Sequence, residues 1–308
     1  DLGNLAKLNP KALQLSDQWG DASFSGSINA DFTANTINDA KGTIEIKDFT
    51  MSDSAFIYGI DCLHIHSGFE DGIHFLKLKG DMGEAELNGH FDWSTLPQSF
   101  ISYVASKLPT LPGLPTKAPK TTNDFDIHLY LTETNWLRHL LGVNLELNQP
   151  LTLHANVNDS KHQINVNGQM PLFTFNDSRY EGGNINITSP NGAMKCEISA
   201  TRVSEDKRRF DVSVHAIAAN NDLSTSLRWD NNQNDMGMRG EINTRSKFYL
   251  NNEGQPEAHV HILPSHAVMG DAKWDIEPSG VVYNSDKLMV DHFMAAHKSQ
   301  HIIIDGVA

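Results

Sequence analysis

The sequence contains few cysteines, no excess of positive charge and no long apolar run, and each shortage excludes a class of protein. Cys62 and Cys196 are its only cysteines, too few for a disulfide framework and without the CxxC spacing of redox or zinc motifs. Their spacing does not show whether they form a disulfide, and the ordinary interpretation is two buried free thiols. The net charge of −14 argues against nucleic acid and anionic membrane surfaces as partners, since both attract clustered lysine and arginine.

No stretch of about 18 apolar residues occurs in the chain, so no transmembrane helix is expected. Residues 1–3 do not begin a signal peptide, and the last strand-like segment, 301–306, stops without a tail. We therefore expect an internal segment of a longer protein. With 308 residues, of which 39% are hydrophobic and 20% charged, the chain has enough apolar material to fold into about two domains.

The dominant pattern is an alternation of apolar and polar residues, which places alternate side chains on one face of a strand. Serine, threonine, asparagine, aspartate, lysine and histidine fill the positions between the apolar ones. One apolar and one polar face are typical of an antiparallel sheet. The alternating apolar positions are Phe24, Ile28, Ala30 and Phe32; Phe125, Ile127, Leu129 and Leu131; Leu151, Leu153, Ala155 and Val157; Phe210, Val212, Val214 and Ala216; Leu223, Leu227 and Trp229; Met236, Met238 and Ile242; Ala258, Val260 and Ile262; and Ala272, Trp274 and Ile276.

Clusters rich in asparagine, aspartate and glycine separate these strands, as at 38–42, 158–161, 220–222, 231–235 and 251–254. These are turn-forming residues, and at usual strand lengths they predict a meander of roughly twenty strands. The predicted fold class is mainly β: a long, curved antiparallel sheet that forms a repeating groove, with two short amphipathic helices. A tandem β-sandwich is the alternative, because a second sheet would also cover a long apolar face.

The first predicted helix covers residues 95–108. Thr95 with Gln98 resembles a capping box, and Pro97 falls in the first turn, where its missing N–H group costs little. Apolar residues recur at the spacing of one helix face, which predicts an amphipathic covering helix. The residues of this stripe are Leu96, Phe100, Val104 and Leu108.

The second predicted helix covers residues 132–141 and ends at Gly142, a residue suited to a left-handed C-terminal cap. Between the two helices, the segment 109–123 contains four prolines and is predicted to be an extended linker. The predicted organisation is therefore a first β-module at 1–108, this linker, and a longer β-module at 124–308.

Fifteen histidines raise the question of a metal site. His64 and His66, with His74 nearby, form the strongest local cluster, because two histidines spaced two apart on a strand point to one side. Their apolar neighbours in sequence point to the opposite side of the strand, so we interpret both histidines as the solvent-facing residues of a half-buried strand. His259 and His261 have the same pattern, and no metal site is predicted.

No catalytic signature is present: the sequence has no GxSxG, P-loop, GxGxxG, HExxH or EF-hand pattern. Carboxylates such as Glu45, Glu86 and Asp211 show no sign of converging in an acid–base pair. We therefore predict no catalytic residues, no cofactor and no enzymatic activity. An enzyme built on a β-scaffold remains a rival, and it requires several acidic or histidine residues to meet in one cleft.

The alternating apolar residues could form the dry core of a sandwich, or they could line an open groove for acyl chains. Methionines such as Met51 and Met289 suit a groove, because a flexible thioether packs around varied ligands. A sandwich would instead fit a binding or adhesion module that recognises glycan or protein. The candidate groove residues are Phe24, Ile28, Phe32, Phe125, Ile127, Leu129, Leu153, Val212, Val214, Leu227, Trp229, Met236, Met238, Val260, Trp274 and Ile276.

Three parts of the sequence resemble the TamB family in its Bacteroidota form, with AsmA-like proteins as wider relatives. Each part is a degenerate pattern, so the resemblance rests on their order and spacing. The first part comprises 8–16, 26–32 and 39–46; the second comprises 76–80 and 85–91 and runs into the Thr95 helix; the third comprises 274–280, 290–293 and 301–306.

The resemblance implies a long periplasmic protein that is anchored in the inner membrane by an N-terminal helix outside this sequence. It implies a groove-shaped β-body that conducts phospholipid between the inner and outer membranes. It also implies assistance to outer-membrane protein assembly, with an Omp85-type barrel that would bind regions outside this sequence. The family has no catalytic residue to place on this chain.

Overall fold

The computed structural model describes residues 23–52, 57–115, 120–233 and 236–308. As predicted, the described residues are mainly β, and they form twenty strands in one antiparallel sheet and two short α-helices. The helices are α1 (Leu96–Lys107) and α2 (Asn135–Leu141). The strands are β1 (Ser23–Thr33), β2 (Lys41–Ser52), β3 (Ile57–Glu70), β4 (Ile73–Gly80), β5 (Gly83–His90), β6 (Asp124–Leu131), β7 (Leu145–Leu147), β8 (Leu151–Asn158), β9 (Gln163–Phe175), β10 (Ser178–Thr188), β11 (Met194–Val203), β12 (Arg209–Ala219), β13 (Asp222–Asp230), β14 (Met238–Leu250), β15 (Pro256–Ile262), β16 (Ser265–Met269), β17 (Ala272–Ile276), β18 (Ser279–Asn284), β19 (Lys287–His297) and β20 (Gln300–Val307).

The strands follow one another as a meander, as the turn spacing predicts. Even β5 and β6, which α1 and the proline-rich segment separate in sequence, pair directly along their whole length. Three long strands are each divided in two: β7 with β8, β15 with β16, and β17 with β18. Pro150, Pro264 and Pro278 lie at or next to these breaks, because proline has no N–H group for the ladder.

All twenty strands belong to one sheet, so the alternative of two separate sandwiches is not found in the part of the chain that the structure describes. The division into two modules at 1–108 and 124–308 stays a prediction.

Cross-strand register confirms the alternation and extends it across the sheet. One series of directly opposed residues runs from β1 to β14 on one face, which we call the apolar row; the matching series on the other face is the polar row. The apolar row is Ala30, Ile44, Ile65, Leu78, Ala85, Leu129, Leu153, Gly168, Ile185, Ile198, Val214, Leu227 and Ile242. The polar row is Thr43, His66, Lys77, Glu86, His128, His154, Asn167, Asn186, Glu197, His215, Ser226 and Asn243.

The buried core lies where α1 packs on the apolar face. Tyr103 of α1 packs with residues of β5, β6, β8 and β9, among them Phe125 and Val157. Leu108, just beyond the helix, packs with Ala218 of β12 and Phe248 of β14. Away from α1, most apolar side chains on this face remain partly exposed.

These contacts require the sheet to curl around α1. Tyr103 and Leu108 are about 8 Å apart along a helix axis, at 1.5 Å per residue. In a flat sheet, β6 and β14 would lie about 33 Å apart, at 4.7–4.9 Å per strand. Because one helix reaches both groups of strands, the apolar face must be on the inside of a curved sheet, as the groove prediction requires.

The helix boundaries agree closely with the sequence, and the predicted stripe is confirmed in part. Leu96 and Val104 pack against the core and Leu108 is buried in it, whereas Phe100 is exposed. The residues buried on α1 itself are Ser99, Tyr103, Ala105 and Lys107. The predicted capping box is also wrong, since Thr95 makes no side-chain cap. The helix is positioned by polar contacts with turns of the sheet, which a hydrophobic stripe does not reveal.

Candidate functional site

Helix α1 blocks one end of the curved sheet by bonding to successive turns there. The Tyr103 hydroxyl lies 2.7 Å from Ser189 Oγ, in the turn between β10 and β11. The Lys107 ammonium donates to the His162 carbonyl at 3.3 Å, in the turn between β8 and β9. The backbone N–H of Asn221, between β12 and β13, donates to the Lys107 carbonyl at 2.9 Å. One helix therefore fastens three hairpins together.

A buried polar network joins the start of α1 to the sheet. The side-chain amide of Asn123 donates to Ser99 Oγ at 2.8 Å, and its Oδ1 accepts a hydrogen bond from the Asp92 N–H at 2.8 Å. One Asp159 carboxylate oxygen accepts from Ser99 Oγ at 2.9 Å and from the Asn123 N–H at 2.8 Å. Ser99 and Asn123 are almost fully buried, so this network closes the blocked end without an apolar seal.

The opposite end of the apolar face is open to solvent within the described residues. Met238 of β14 and Met269 of β16 oppose each other there, and they are 48% and 51% exposed. Next along the same face, Trp229 lies over Gly240, where a Cβ atom would come within 2.4 Å of the indole ring. The chain therefore places flexible and aromatic apolar side chains at the open end.

Most predicted groove residues lie in strands and are partly or well exposed, but not all are accessible. Phe125 lies beneath α1 at 2% exposure, and Ile276 is 8% exposed, so both belong to the core. Ile127 and Leu153 pack against the same core. Met236 lies in the turn before β14 rather than in a strand. Contact with lipid stays a prediction for the whole set.

His74 is a buried histidine on the apolar side of β4, where it stacks between two phenylalanines. The ring centroids of Phe69 and Phe91 lie 4.5 and 4.8 Å from that of His74, and Trp93 approaches edge-on at 6.1 Å. Nε2 of His74 lies 3.0 Å from Ser67 Oγ. Burial lowers the pKa of His74, because the aromatic surroundings disfavour the charged imidazolium.

This burial predicts a pH-dependent stability. The unfolded chain binds a proton at His74 more readily than the folded chain, so the free energy of unfolding should fall as the pH drops below about 6.5. His74→Gln should reduce this fall, by up to about 1.4 kcal/mol per pH unit. Urea unfolding at pH 7.5 and 5.5 measures it, with His66→Gln on the polar row as control. Equal pH dependence in wild type and His74→Gln would contradict the assignment.

The two cysteines lie on opposite faces of the sheet and are free. Cys196 is opposite Ala216 on the apolar face, whereas Cys62 Sγ lies 3.1 Å from His64 Nε2 on the polar face. Both side chains are half-buried, whereas the sequence predicts that they are fully buried. Glu45 Oε1 lies 3.6 Å from His64 Nδ1, so Cys62 and Glu45, rather than His66, are the potential metal ligands beside His64.

A second cluster of potential metal ligands lies on the polar face, and it was not predicted from the sequence. Asp126 and His128 lie in β6, and His154 lies opposite His128 in β8. Nε2 of His128 is 2.6 Å from one carboxylate oxygen of Asp126, and Nε2 of His154 is 2.7 Å from the other. The Asp-x-His pair on one strand was a visible signal. Its third member becomes apparent only from strand register.

The carboxyl groups with a resolved shift in the described ranges all have a lowered pKa. The Arg245 guanidinium, for example, holds the pKa of Asp222 below its usual range, and hydrogen bonds from Thr201 and Asn232 do the same for Asp211. These groups are ionised at neutral pH, and their partners form ion pairs and hydrogen bonds on the solvated face of the sheet and in its turns.

The fold and these sites define an antiparallel β-meander that curls its apolar face around a helix at one end. The chain matches no family model, and comparisons with curated proteins and with solved structures found no match. Neither α-helix in the described ranges is long and apolar enough to cross a membrane.

Proposed function

We propose that this chain is a non-enzymatic section of a periplasmic TamB-like envelope protein whose apolar groove conducts phospholipid between the inner and outer membranes. Assistance to outer-membrane protein assembly would be a further role of the full protein. The observation that supports the proposal most strongly is the apolar row. It continues through successive strands from β1 to β14 and stays partly exposed away from α1.

The dimensions of the row fit acyl chains. At 4.7–4.9 Å per strand, the row from β1 to β14 is about 55 Å long along the curved sheet. An acyl chain spans about half of a 30 Å hydrocarbon core, so several could bind in succession. Each methylene group removed from water contributes about 0.8 kcal/mol. A continuous row lets a chain slide without leaving apolar surroundings.

A cation at the open end suits an anionic headgroup. Arg202 continues the apolar side of β11 and lies directly between Tyr180 of β10 and Phe210 of β12. It borders a cavity of about 670 Å³ that is lined by four cationic residues, Arg202 among them, and by three acidic ones. Within the described residues Arg202 forms no ion pair, so its guanidinium is free to bind a phosphate oxygen. The apolar side chains that would contact the acyl chains therefore lie next to the cation that would contact the headgroup.

The test is the recovery of phospholipid with the purified protein, measured by lipid extraction and mass spectrometry. Val214→Glu and Leu227→Glu each place a charge on the apolar row, where a carboxylate beside an acyl chain is strongly unfavourable. We expect both variants to lose most of the bound phospholipid. Ser213→Glu is the matched control, because the neighbouring residue on β12 faces the polar side, and it should retain wild-type recovery.

Circular dichroism and thermal unfolding would show that each variant is folded before recovery is compared. Leu227 is already 37% exposed, so a charge there should not unfold the sheet. Absence of phospholipid from the wild type would overturn the proposal. Equal recovery from folded Leu227→Glu and Ser213→Glu would also overturn it, because the apolar row would then have no part in binding.

A further inference from the structure

The cluster of Asp126, His128 and His154 has the donor set of a transition-metal site. Two imidazole nitrogens and one carboxylate oxygen are ligands that Zn²⁺ accepts together, with water in the remaining position. The three ligand atoms lie within 4.8 Å of one another. The imidazole rings are parallel, with centroids 4.2 Å apart and an angle of 9° between their planes, so both present the same edge to the carboxylate.

Both histidine nitrogen atoms lie close to the same carboxylate. Nε2 of His128 lies 2.6 Å from one oxygen of Asp126, and Nε2 of His154 is hydrogen-bonded to the other at 2.7 Å. A metal bound at about 2.0–2.1 Å from each nitrogen would lie between the two rings and the carboxylate. Because the two ring planes are parallel, binding requires each ring to rotate until its Nε2 lone pair is directed at the metal, and the backbone can stay in place.

The strands hold the three ligands rigidly. β6 and β8 pair without a register shift from Asp124↔Asn158 to Leu131↔Leu151. Behind the cluster, on the other face, Ile127 is opposite Ala155, and Ala155 is 2% exposed beneath α1. A site on paired, well-packed strands is preorganised, so little conformational entropy opposes metal binding.

The surrounding charges also favour a cation. Within the described ranges, Asp126 has ion pairs only with the two histidines. Glu86 lies opposite His128, and its own ion pair with Lys77, at 3.2 Å, neutralises the nearest lysine. The cluster therefore keeps the negative charge of Asp126, which a divalent ion can satisfy.

We propose that Asp126, His128 and His154 bind Zn²⁺ or a chemically similar divalent ion such as Co²⁺, with water completing the coordination. A cavity of about 460 Å³, lined by both histidines together with Tyr130 and Asn167, leaves space for that water or for an exchangeable ligand. The site lies on the polar face, opposite the apolar row, so it is independent of the lipid-conducting function.

The cluster of Glu45, Cys62 and His64 is the competing site on the same face. Its carboxylate is already engaged by Lys47, whose ammonium lies 3.0 Å from Glu45 Oε2. A metal there would share its carboxylate with a lysine, whereas no lysine or arginine pairs with Asp126 within the described residues. The experiment must therefore distinguish the two clusters.

Isothermal titration of the untagged protein with Zn²⁺ at pH 7.5 should give one equivalent bound, and Co²⁺ should give visible d–d absorption. His154→Asn and Asp126→Asn should each weaken Zn²⁺ binding about tenfold or more, since partners that only orient a metal ligand already change affinity about 10–100-fold. Binding should also weaken at lower pH, because protons compete with the metal for the imidazole nitrogens.

The control variant is His215→Asn, a polar-row histidine that pairs with Glu197 at 3.3 Å and belongs to neither cluster; it should bind Zn²⁺ like the wild type. Circular dichroism would show that all variants are folded. No stoichiometric binding by the wild type would overturn the proposal. So would binding that survives in His154→Asn and disappears in His64→Asn, because the metal would then occupy the Cys62 cluster.

Discussion

Replacing Phe125 with alanine is expected to lower the free energy of unfolding by about 3–5 kcal/mol, the usual cost of deleting a buried aromatic side chain. Phe125 is 2% exposed and lies at the centre of the core that α1 covers. Its neighbour in β5 is Gly89, where even a Cβ atom would come within 2.6 Å of the Phe125 backbone. The position directly opposite in β5 therefore has no side chain to fill the space that the ring leaves.

Urea unfolding monitored by circular dichroism would measure this loss. Tyr130→Ala is the matched control, because Tyr130 lies on the same strand and is 46% exposed on the polar face. We expect the control to change stability by less than about 1 kcal/mol. Similar losses in the two variants would show that α1 does not form the core over β6.

Strand positions and faces were predictable because each depends on neighbours in sequence. Alternation places Val212 and Val214 on one face whatever strands lie beside them, and the structure pairs them with Trp229 and Leu227 as part of that face. The cap at Gly142 was equally local, and the glycine adopts the predicted left-handed conformation with φ 67°. Local rules therefore account for the elements and for their apolar side.

Features that depend on contacts between distant residues were not predictable. Lys107, at the end of α1, is only 6% exposed, although lysine side chains usually lie in solvent. Its burial follows from the curl of the sheet, which brings the β8–β9 turn to its ammonium group. The Asp126 cluster likewise requires the register of β6 with β8, since His154 has no acidic neighbour in sequence.

Asn123 is the residue whose loss should most affect the attachment of α1, although it lies at the end of a segment predicted to be only a linker. Its side chain donates to Thr95 Oγ1 and Ser99 Oγ and accepts from the Asp92 N–H. Because Asn123 is only 2% exposed, water cannot replace these hydrogen bonds. Asn123→Ala should therefore cost about 2–4 kcal/mol, since each buried polar group left without a partner costs about 1–3 kcal/mol.

The loss should be localised as well as large. Without Asn123, the bonds of α1 to the β10–β11 and β12–β13 turns remain, so the helix should open at its first turn while the central strands stay paired. Hydrogen exchange should then accelerate at Ser99, whose N–H donates within the helix at 3.2 Å, and remain slow in β8 and β9.

Asn165→Ala is the control, because Asn165 is exposed on β9 and should change stability by less than about 0.5 kcal/mol. Uniformly faster exchange throughout the sheet in Asn123→Ala would mean that the network supports the whole fold rather than the blocked end. Unchanged exchange in α1 would mean that the apolar contacts of Tyr103 and Leu108 are sufficient to hold the helix in place.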